Sequence, residues 1–155
     1  MPNTRDSIST DAAPKPVGAY PHARRVGDLL FCSGVGPRAP GDSTVPGVTL
    51  NDAGELVDYD FAAQCRACFE NVRTVVEAGG ARFEDIVDVQ VYLTDIPRDF
   101  ATFNALWKEY FSSEGSAGHA KPNPCRTTIE VSRLPQGGNA PIAVELKVVA
   151  RLAGG

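Results

Sequence analysis

The sequence predicts an α+β protein in which one mixed, mostly antiparallel sheet carries two helices on one face. The 155-residue chain contains two segments with apolar residues at helical spacing. Shorter segments with alternating or continuous apolar residues, which are typical of strands, surround them. The predicted order is β-β-α-β-α-β-β, and strands that do not alternate strictly with helices favour a layered α+β fold.

Length and composition indicate one domain without an internal linker, spanning residues 14–152 behind a flexible tail at 1–13. The net charge of −4 argues against a nucleic-acid surface, which usually carries a basic face. Charged residues near the N-terminus interrupt any signal-peptide core, and no apolar run reaches transmembrane length. We therefore predict a cytoplasmic protein.

The first elements are two short strands within residues 23–31, because Gly27 and Asp28 between apolar runs favour a hairpin turn. The following segment, 35–55, is rich in Gly, Pro, Asp and Asn. It is predicted to form a long loop with at most one short strand, near residues 48–50. Loops of this length in compact domains are often functional.

The first helix is predicted over residues 61–78, with Asp58 or Asp60 as its cap and Gly79-Gly80 as its stop. Its apolar stripe comprises Phe61, Cys65, Cys68, Phe69, Val72, Val75 and Val76. A half-buried strand follows, in which Val87, Val89, Val91 and Leu93 share one face.

A second helix is expected after Pro97, followed by a mobile loop that includes His119. Its apolar stripe comprises Phe100, Phe103, Leu106, Trp107, Tyr110 and Phe111, and core packing explains it better than a ligand platform. Two strands, within 125–134 and 140–152, close the chain around a turn at 137–139. The sheet face without helices is a natural place for subunits to meet.

Four cysteines raise the question of metal or redox chemistry. Cys65 and Cys68 have C-x-x-C spacing, but they lie within a predicted helix, and the chain offers no second ligand pair at similar spacing. Small buried hydrophobic residues are the favoured interpretation. No metal site is predicted.

Arg126 and Glu145 are the candidates for chemistry on charged groups. Arg126 begins a strand after two prolines, where a guanidinium can grip a carboxylate through two hydrogen bonds; a surface ion pair with Glu130 is the simpler alternative. Glu145 stands in an apolar strand, which would raise its pKa and suit proton transfer. Pairing with Lys147 is its simpler alternative.

Other polar residues at segment ends suggest a small-anion site. Ser33 and Gly34 end a strand and could offer a hydroxyl or backbone amides, although such a pair usually forms a turn. Tyr20 could cover a pocket, and Asn104 lies among aromatic residues where its amide needs partners. His22, a lone loop histidine, is more often solvated than catalytic.

Four segments together resemble the RidA (YjgF) family of imine and enamine deaminases. They are "APKPVGAYPHARRVGDLLFCSG", "AAQCRACFENVRTVVEAGGARFEDIVDVQVYLTDIPRDFATFNALWKEYF", "RTTIEVSRLP" and "VELKVVA". The resemblance covers residues 14–152 in order. It implies a chorismate-mutase-like fold, a homotrimer with clefts between subunits, a small carboxylate-bearing imine or enamine substrate, and no cofactor.

The resemblance also implies roles for individual residues. Arg126 matches the arginine that holds the substrate carboxylate, and Glu145 matches the glutamate that positions or activates water. The matching cleft-lining residues are Tyr20, Ser33, Gly34, Asn104 and Thr128.

Within the family, "GAYPHARRVGDLLFCSG", "GVGPRAPGDS" and "VELKVVA" are closest to the 2-aminomuconate deaminases of aromatic degradation. A dicarboxylate substrate would need a second cation, for which Arg38, Lys147 and His22 are candidates. The segment 135–145 is longer than is usual in the family, and a shifted register would place Ala143 where Glu145 is expected. Thr128 replaces a cysteine that is frequent in the family, which argues against an obligatory thiol.

Overall fold

The computed structural model describes residues 6–111 and 122–153. Its elements are β1 (Ser7–Ile8), β2 (Ala23–Val26), β3 (Leu29–Cys32), β4 (Val48–Leu50), β5 (Leu56–Tyr59), α1 (Phe61–Ala78), β6 (Ile86–Leu93), α2 (Ile96–Phe111), β7 (Cys125–Glu130) and β8 (Val144–Arg151). The loop predicted after α2, including His119, lies mostly outside the described residues. None of the helices described is long and apolar enough to cross a membrane.

Six strands form the main sheet in the order β1-β2-β3-β8-β6-β7. Every neighbouring pair is antiparallel except β6 and β7, which run parallel. The predicted mixed, mostly antiparallel sheet with two helices is therefore confirmed. The two closing strands are not neighbours, because β6 lies between them, so the segment 131–143 crosses the sheet rather than closing a hairpin.

The N-terminal segment is part of the fold, and the prediction of a flexible tail through residue 13 is wrong for residues 7–13. Ser7 pairs with Arg24 and Ile8 with Ala23, which adds β1 to the sheet. Ile8 and Ala13 are buried in the core. The apolar side chains of this segment hold it against the domain. The sequence did not predict this because most residues of the segment are polar.

The first helix matches its prediction. The Asp60 carboxylate accepts a hydrogen bond from the Ala63 amide at 3.1 Å, so Asp60 is the cap and Asp58 is not. All seven residues of the predicted stripe are buried. Beyond the end of the helix, Gly80 adopts φ 89°, a conformation that glycine accommodates without strain.

Alternation along β6 and β8 places one row of side chains under the helices and the other on the opposite face. The buried row comprises Val89, Val91, Leu93, Val144, Leu146, Val148 and Ala150. Val87 does not belong to it, contrary to the prediction, because the β6–β8 register shifts between Ile86 and Asp88 and leaves Val87 exposed. We call the other side the open face; Phe31, Tyr92, Glu145 and Lys147 point toward it, since each alternates with buried neighbours.

The segment predicted as a long loop, 35–55, contains one strand, β4, as expected, and β5, which was not predicted, follows it. β4 pairs with β5 in a separate antiparallel hairpin, in which Val48 lies opposite Tyr59. Leu56 and Val57 are the apolar residues of β5, too few to stand out in a polar sequence. Nearby, Val45, Ala140 and Ile142 form a small second core that fastens this segment to the one preceding β8.

Candidate active site

A cavity of about 30 Å³ lies where the chain leaves β3. The residues that line it include Tyr20, His22, Ser33, Gly34 and Arg38. Phe31 pairs with Val149, and four residues later Val35 bridges Leu146, so one extra residue bulges from this side of the pairing. Bulges redirect side chains beside functional sites.

Glu145 reaches this bulge from the open face of β8. A β-carbon added to Gly34 would lie 2.2 Å from Oε1 of Glu145, so the carboxyl group rests directly against the glycine backbone. Burial raises the pKa of Glu145 above its ordinary value, while the nearby charge of Arg38 acts in the opposite direction. A carboxyl group whose pKa is raised holds a proton more readily, which suits it to proton transfer.

Ser33 and Tyr20 complete the mouth of the cavity. The Ser33 hydroxyl donates to the Pro21 carbonyl at 2.7 Å, which leaves its oxygen able to accept a hydrogen bond but not poised as a nucleophile. Tyr20 is 46% exposed, so its ring covers the cavity while remaining accessible to a ligand.

Arg38 is held in place by three neutral oxygen atoms. Its Nη1 donates to Ser43 Oγ and to the Gly137 carbonyl, both at 3.2 Å, and its Nη2 donates to the Lys15 carbonyl at 3.0 Å. Among residues 6–111 and 122–153, no carboxylate forms an ion pair with it. The guanidinium therefore brings an unneutralised positive charge to the cavity.

Two buried residues of α1 fix the loop bearing Arg38, and sequence reasoning did not single out the first of them, Asn71. Asn71 donates from Nδ2 to the carbonyls of Gly36 and Arg38 at 2.9 and 2.8 Å. Cys68 donates to the Val35 carbonyl at 3.0 Å. The signal was present, because Asn71 falls on the apolar stripe, where a buried amide requires partners.

Arg126 lies elsewhere, on the helix-covered side of the edge strand β7. Its Cζ is 4.9 Å from the ring centroid of Trp107, 5.4 Å from that of Phe103 and 5.7 Å from that of Phe100. Burial against these rings lowers its pKa from the ordinary value. The expected alternative, an ion pair with Glu130, is not formed; Glu130 instead accepts the Ile96 amide at 2.7 Å.

Thr128 and Asn104 accompany Arg126. Thr128 shares its side of β7, and its buried hydroxyl has no hydrogen-bond partner among the residues described. Asn104 is half-buried on α2, four residues after Phe100 and three before Trp107, so it shares their helix face. These three form the edge-strand group, whereas Tyr20, Ser33, Gly34, Arg38 and Glu145 form the cavity group.

The sheet separates the two groups. Arg126 pairs with Val89, which faces the helices, whereas Glu145 pairs with Tyr92 on the open face. β6 also lies between their strands. One small substrate cannot contact both side chains within a single protomer.

The other two cation candidates, His22 and Lys147, form hydrogen bonds of their own. His22 is buried; its Nδ1 accepts the Thr10 amide at 3.3 Å and its Nε2 contacts the Pro14 carbonyl at 2.9 Å, which fits the neutral tautomer protonated on Nε2. Lys147 donates to the Cys32 carbonyl at 3.0 Å instead of pairing with Glu145. Of the three, Arg38 is the one that lines the cavity with its charge unmatched.

The cysteine thiols near the site are buried. Burial raises the pKa of Cys32 and of Cys65 to about 12 and that of Cys68 well above its ordinary value, which keeps them protonated at neutral pH. The residues described include no cluster of three or more His, Cys, Asp or Glu that could hold a metal ion.

The chain is similar to a known family, to individual proteins and to solved structures over nearly its whole length. Residues 10–152 match the family described as endoribonuclease L-PSP. A RutC family protein of Pyrococcus abyssi is 35% identical over 146 residues, covering 94% of this chain and 96% of the relative. The 2-iminobutanoate/2-iminopropanoate deaminase of Escherichia coli K12 is 32% identical over 144 residues, covering 93% and 95%. The crystal structure of E. coli TdcF with bound serine superposes with a TM-score of 0.76 at 29% identity, covering 95% and 98%.

Proposed function

This chain belongs to the RidA (YjgF) family, whose description is endoribonuclease L-PSP, and on that premise we propose that it is a cofactor-independent deaminase of imines and enamines. The observation that carries the proposal is the half-buried guanidinium of Arg126, which packs against three rings and has no carboxylate partner among the residues described. The relative named as a 2-iminobutanoate/2-iminopropanoate deaminase supports the reaction class. The net charge of −4 does not favour RNA as substrate.

The reaction is hydrolysis of a C=N bond beside a carboxylate. Arg126 holds that carboxylate through paired hydrogen bonds, while Thr128 and Asn104 line the same side. Glu145 accepts a proton from water as the oxygen attacks the imine carbon, giving a carbinolamine. The proton held by Glu145 is delivered to the nitrogen, the carbinolamine hydroxyl loses its proton as the C=O bond forms, the C–N bond breaks, and ammonia departs, so that a 2-oxo acid remains.

The substrate we propose is 2-aminomuconate. This enamine dicarboxylate tautomerises to its 2-imine, and hydrolysis yields 2-oxohex-3-enedioate (4-oxalocrotonate) and ammonia. The local resemblance of "GVGPRAPGDS" and "VELKVVA" to 2-aminomuconate deaminases supports this choice. The alternative within the same reaction class is a general deaminase of small 2-imino acids.

The complete cleft is proposed to lie between subunits of a homotrimer. Separation of the edge-strand group from the cavity group by the sheet supports a site to which one protomer supplies Arg126 and its neighbour supplies Glu145. The cavity of about 30 Å³ is small for a six-carbon substrate, which supports a site that a second chain completes.

Replacing Arg126 tests the reaction. Release of ammonia from 2-aminomuconate and from 2-iminopropanoate generated in situ is measured for wild type, Arg126→Ala and the control Arg66→Ala. We expect Arg126→Ala to lower kcat/KM by about 100-fold or more, because the lost charged hydrogen bonds and lost positioning add. Arg66 pairs with Glu109 on the exposed surface of the helices, so its replacement is expected to change little.

Two results would redirect the assignment. Equal activity of Arg126→Ala and wild type would favour the other class of function, a non-catalytic metabolite-binding or chaperone-like protein. Faster turnover of 2-iminopropanoate than of 2-aminomuconate by the wild type would favour the general 2-imino acid deaminase.

A further inference from the structure

Arg38 is the charged residue of the cavity that the hydrolysis above does not use. We propose that it is a specificity residue that binds the second carboxylate of a dicarboxylate substrate; this inference rests on the proposed function. It sits on the loop after the β3 bulge, on the same cavity as Gly34, against which the Glu145 carboxyl lies. Arg126 holds one end of the ligand and Arg38 the other, with Glu145 beside the carbon between them.

The hydrogen bonds of Arg38 leave two of its donors available. Two protons on Nη1 and one on Nη2 are donated to Ser43, Gly137 and Lys15. Among the residues described, no acceptor is bound to the Nε proton or to the second Nη2 proton. A carboxylate is a suitable acceptor for such charged donors.

The charge of Arg38 is positioned but not neutralised. All three acceptors are uncharged, and no carboxylate in the described parts of the chain pairs with it. A half-buried cation without a counter-ion favours an anionic ligand, since burying the charge unpaired is costly. Burial raises the pKa of Glu145, and the charge of Arg38 lowers it, so the two groups interact without forming an ion pair.

The backbone of the long segment between β7 and β8 packs against the Arg38 side chain. A β-carbon on Gly137 would lie 3.3 Å from Cζ of Arg38, and one on Gly138 would lie 3.3 Å from its Cδ and 2.2 Å from the Ser43 carbonyl oxygen. Two consecutive glycines therefore let the backbone close over the arginine. This backbone forms one wall of the pocket that we assign to the second carboxylate.

A matched pair of unreactive ligands tests the proposal. Muconate and sorbate share a six-carbon diene chain and one carboxylate, and the second carboxylate of muconate is a methyl group in sorbate. Dissociation constants are measured by calorimetry for wild type, Arg38→Met and the control Arg66→Met. We expect wild type to bind muconate about 10- to 100-fold more tightly than sorbate, and Arg38→Met to bind both with the affinity of sorbate.

Three outcomes are informative. Loss of affinity for both ligands in Arg38→Met, with unchanged thermal unfolding, would overturn the proposal and assign Arg38 to the electrostatics of Glu145. An unaltered preference for muconate would also overturn it and leave the second carboxylate to other residues. Absence of turnover of any imine by wild type would refute the proposed function alone, because the two affinities still report on Arg38.

Discussion

Gly34 occupies a position where even a methyl group has no space. Its α-carbon lies against the Glu145 carboxyl group, and the added β-carbon of alanine would meet Oε1 at 2.2 Å. We expect Gly34→Ala to displace the carboxyl group and to lower kcat for imine hydrolysis by at least about 10-fold. Ammonia release under saturating substrate measures the effect.

The fold is expected to survive this substitution, because Gly34 is exposed and does not adopt a left-handed conformation. Thermal unfolding of Gly34→Ala within a few degrees of wild type is the control. Wild-type kcat in the variant would show that the carboxyl position seen against Gly34 is not the one used in catalysis.

Single residues differ in how far the sequence determines their role. Arg126 could be identified as a candidate by its position after two prolines. The three rings that contact it belong to α2, and no local sequence pattern predicts that this strand packs against that side of the helix. The charge on Arg38 was visible as one of three candidates. Choosing Arg38 among the three required the structure, because the carbonyls of Lys15 and Gly137 that hold its guanidinium are distant in sequence.

The N-terminus of α1 offers a test at the scale of an element. Asp60 accepts the Ala63 amide, whereas Asp58 forms an exposed ion pair with Arg98. We expect Asp60→Ala to lower the free energy of unfolding by about 1 kcal/mol, since it removes the cap. Asp58→Ala is expected to cost less than Asp60→Ala, because solvent screens its exposed ion pair.

Urea unfolding of the two variants measures this difference. Equal losses would mean that the cap hydrogen bond contributes no more than the surface ion pair. The comparison is internally matched, because each variant removes one aspartate from the same short segment.

Helices and strands with a clear periodicity of apolar residues could be predicted from the sequence. Strands that form only by pairing with segments distant in sequence could not. Both helices and β6 follow from their apolar spacing. β1 was not predicted because it consists of only two residues, which form a strand by pairing with β2. β5 was not predicted because its apolar content is small. β7 and β8 are separated because each pairs with a different edge of β6. The local sequence of a strand does not determine which edge it pairs with.

At the scale of the molecule, a mixture of inactive variants tests where the site is assembled. Arg126→Ala and Glu145→Gln are each expected to be inactive. If one chain supplies Arg126 and its neighbour Glu145, equal amounts mixed by unfolding and refolding should recover about one quarter of wild-type activity, because one cleft in four receives both intact residues.

Each variant refolded alone is the control. Activity no greater than the sum of the two controls would place both residues in a cleft of one protomer. That result would contradict the proposed subunit interface, whereas the family membership and the fold would stand.

For the whole molecule, the fold class could be predicted because two amphipathic helices among strands allow few layered arrangements. The site could be predicted residue by residue only through the family resemblance. Composition and spacing alone left Arg126 and Glu145 as ordinary surface and core residues, since the chemistry depends on which faces of the sheet they occupy.

The position of β8 has a consequence for synthesis of the chain. Among the strands described it is synthesised last, yet it lies between β3 and β6 and joins the two parts of the sheet. Until it emerges, the strands made first have no partner on that side, and the nascent protein exposes two unpaired strand edges. Glu145, the proposed acid, lies on this same strand, so a chain truncated before residue 144 would lack both the strand that joins the sheet and the proposed acid.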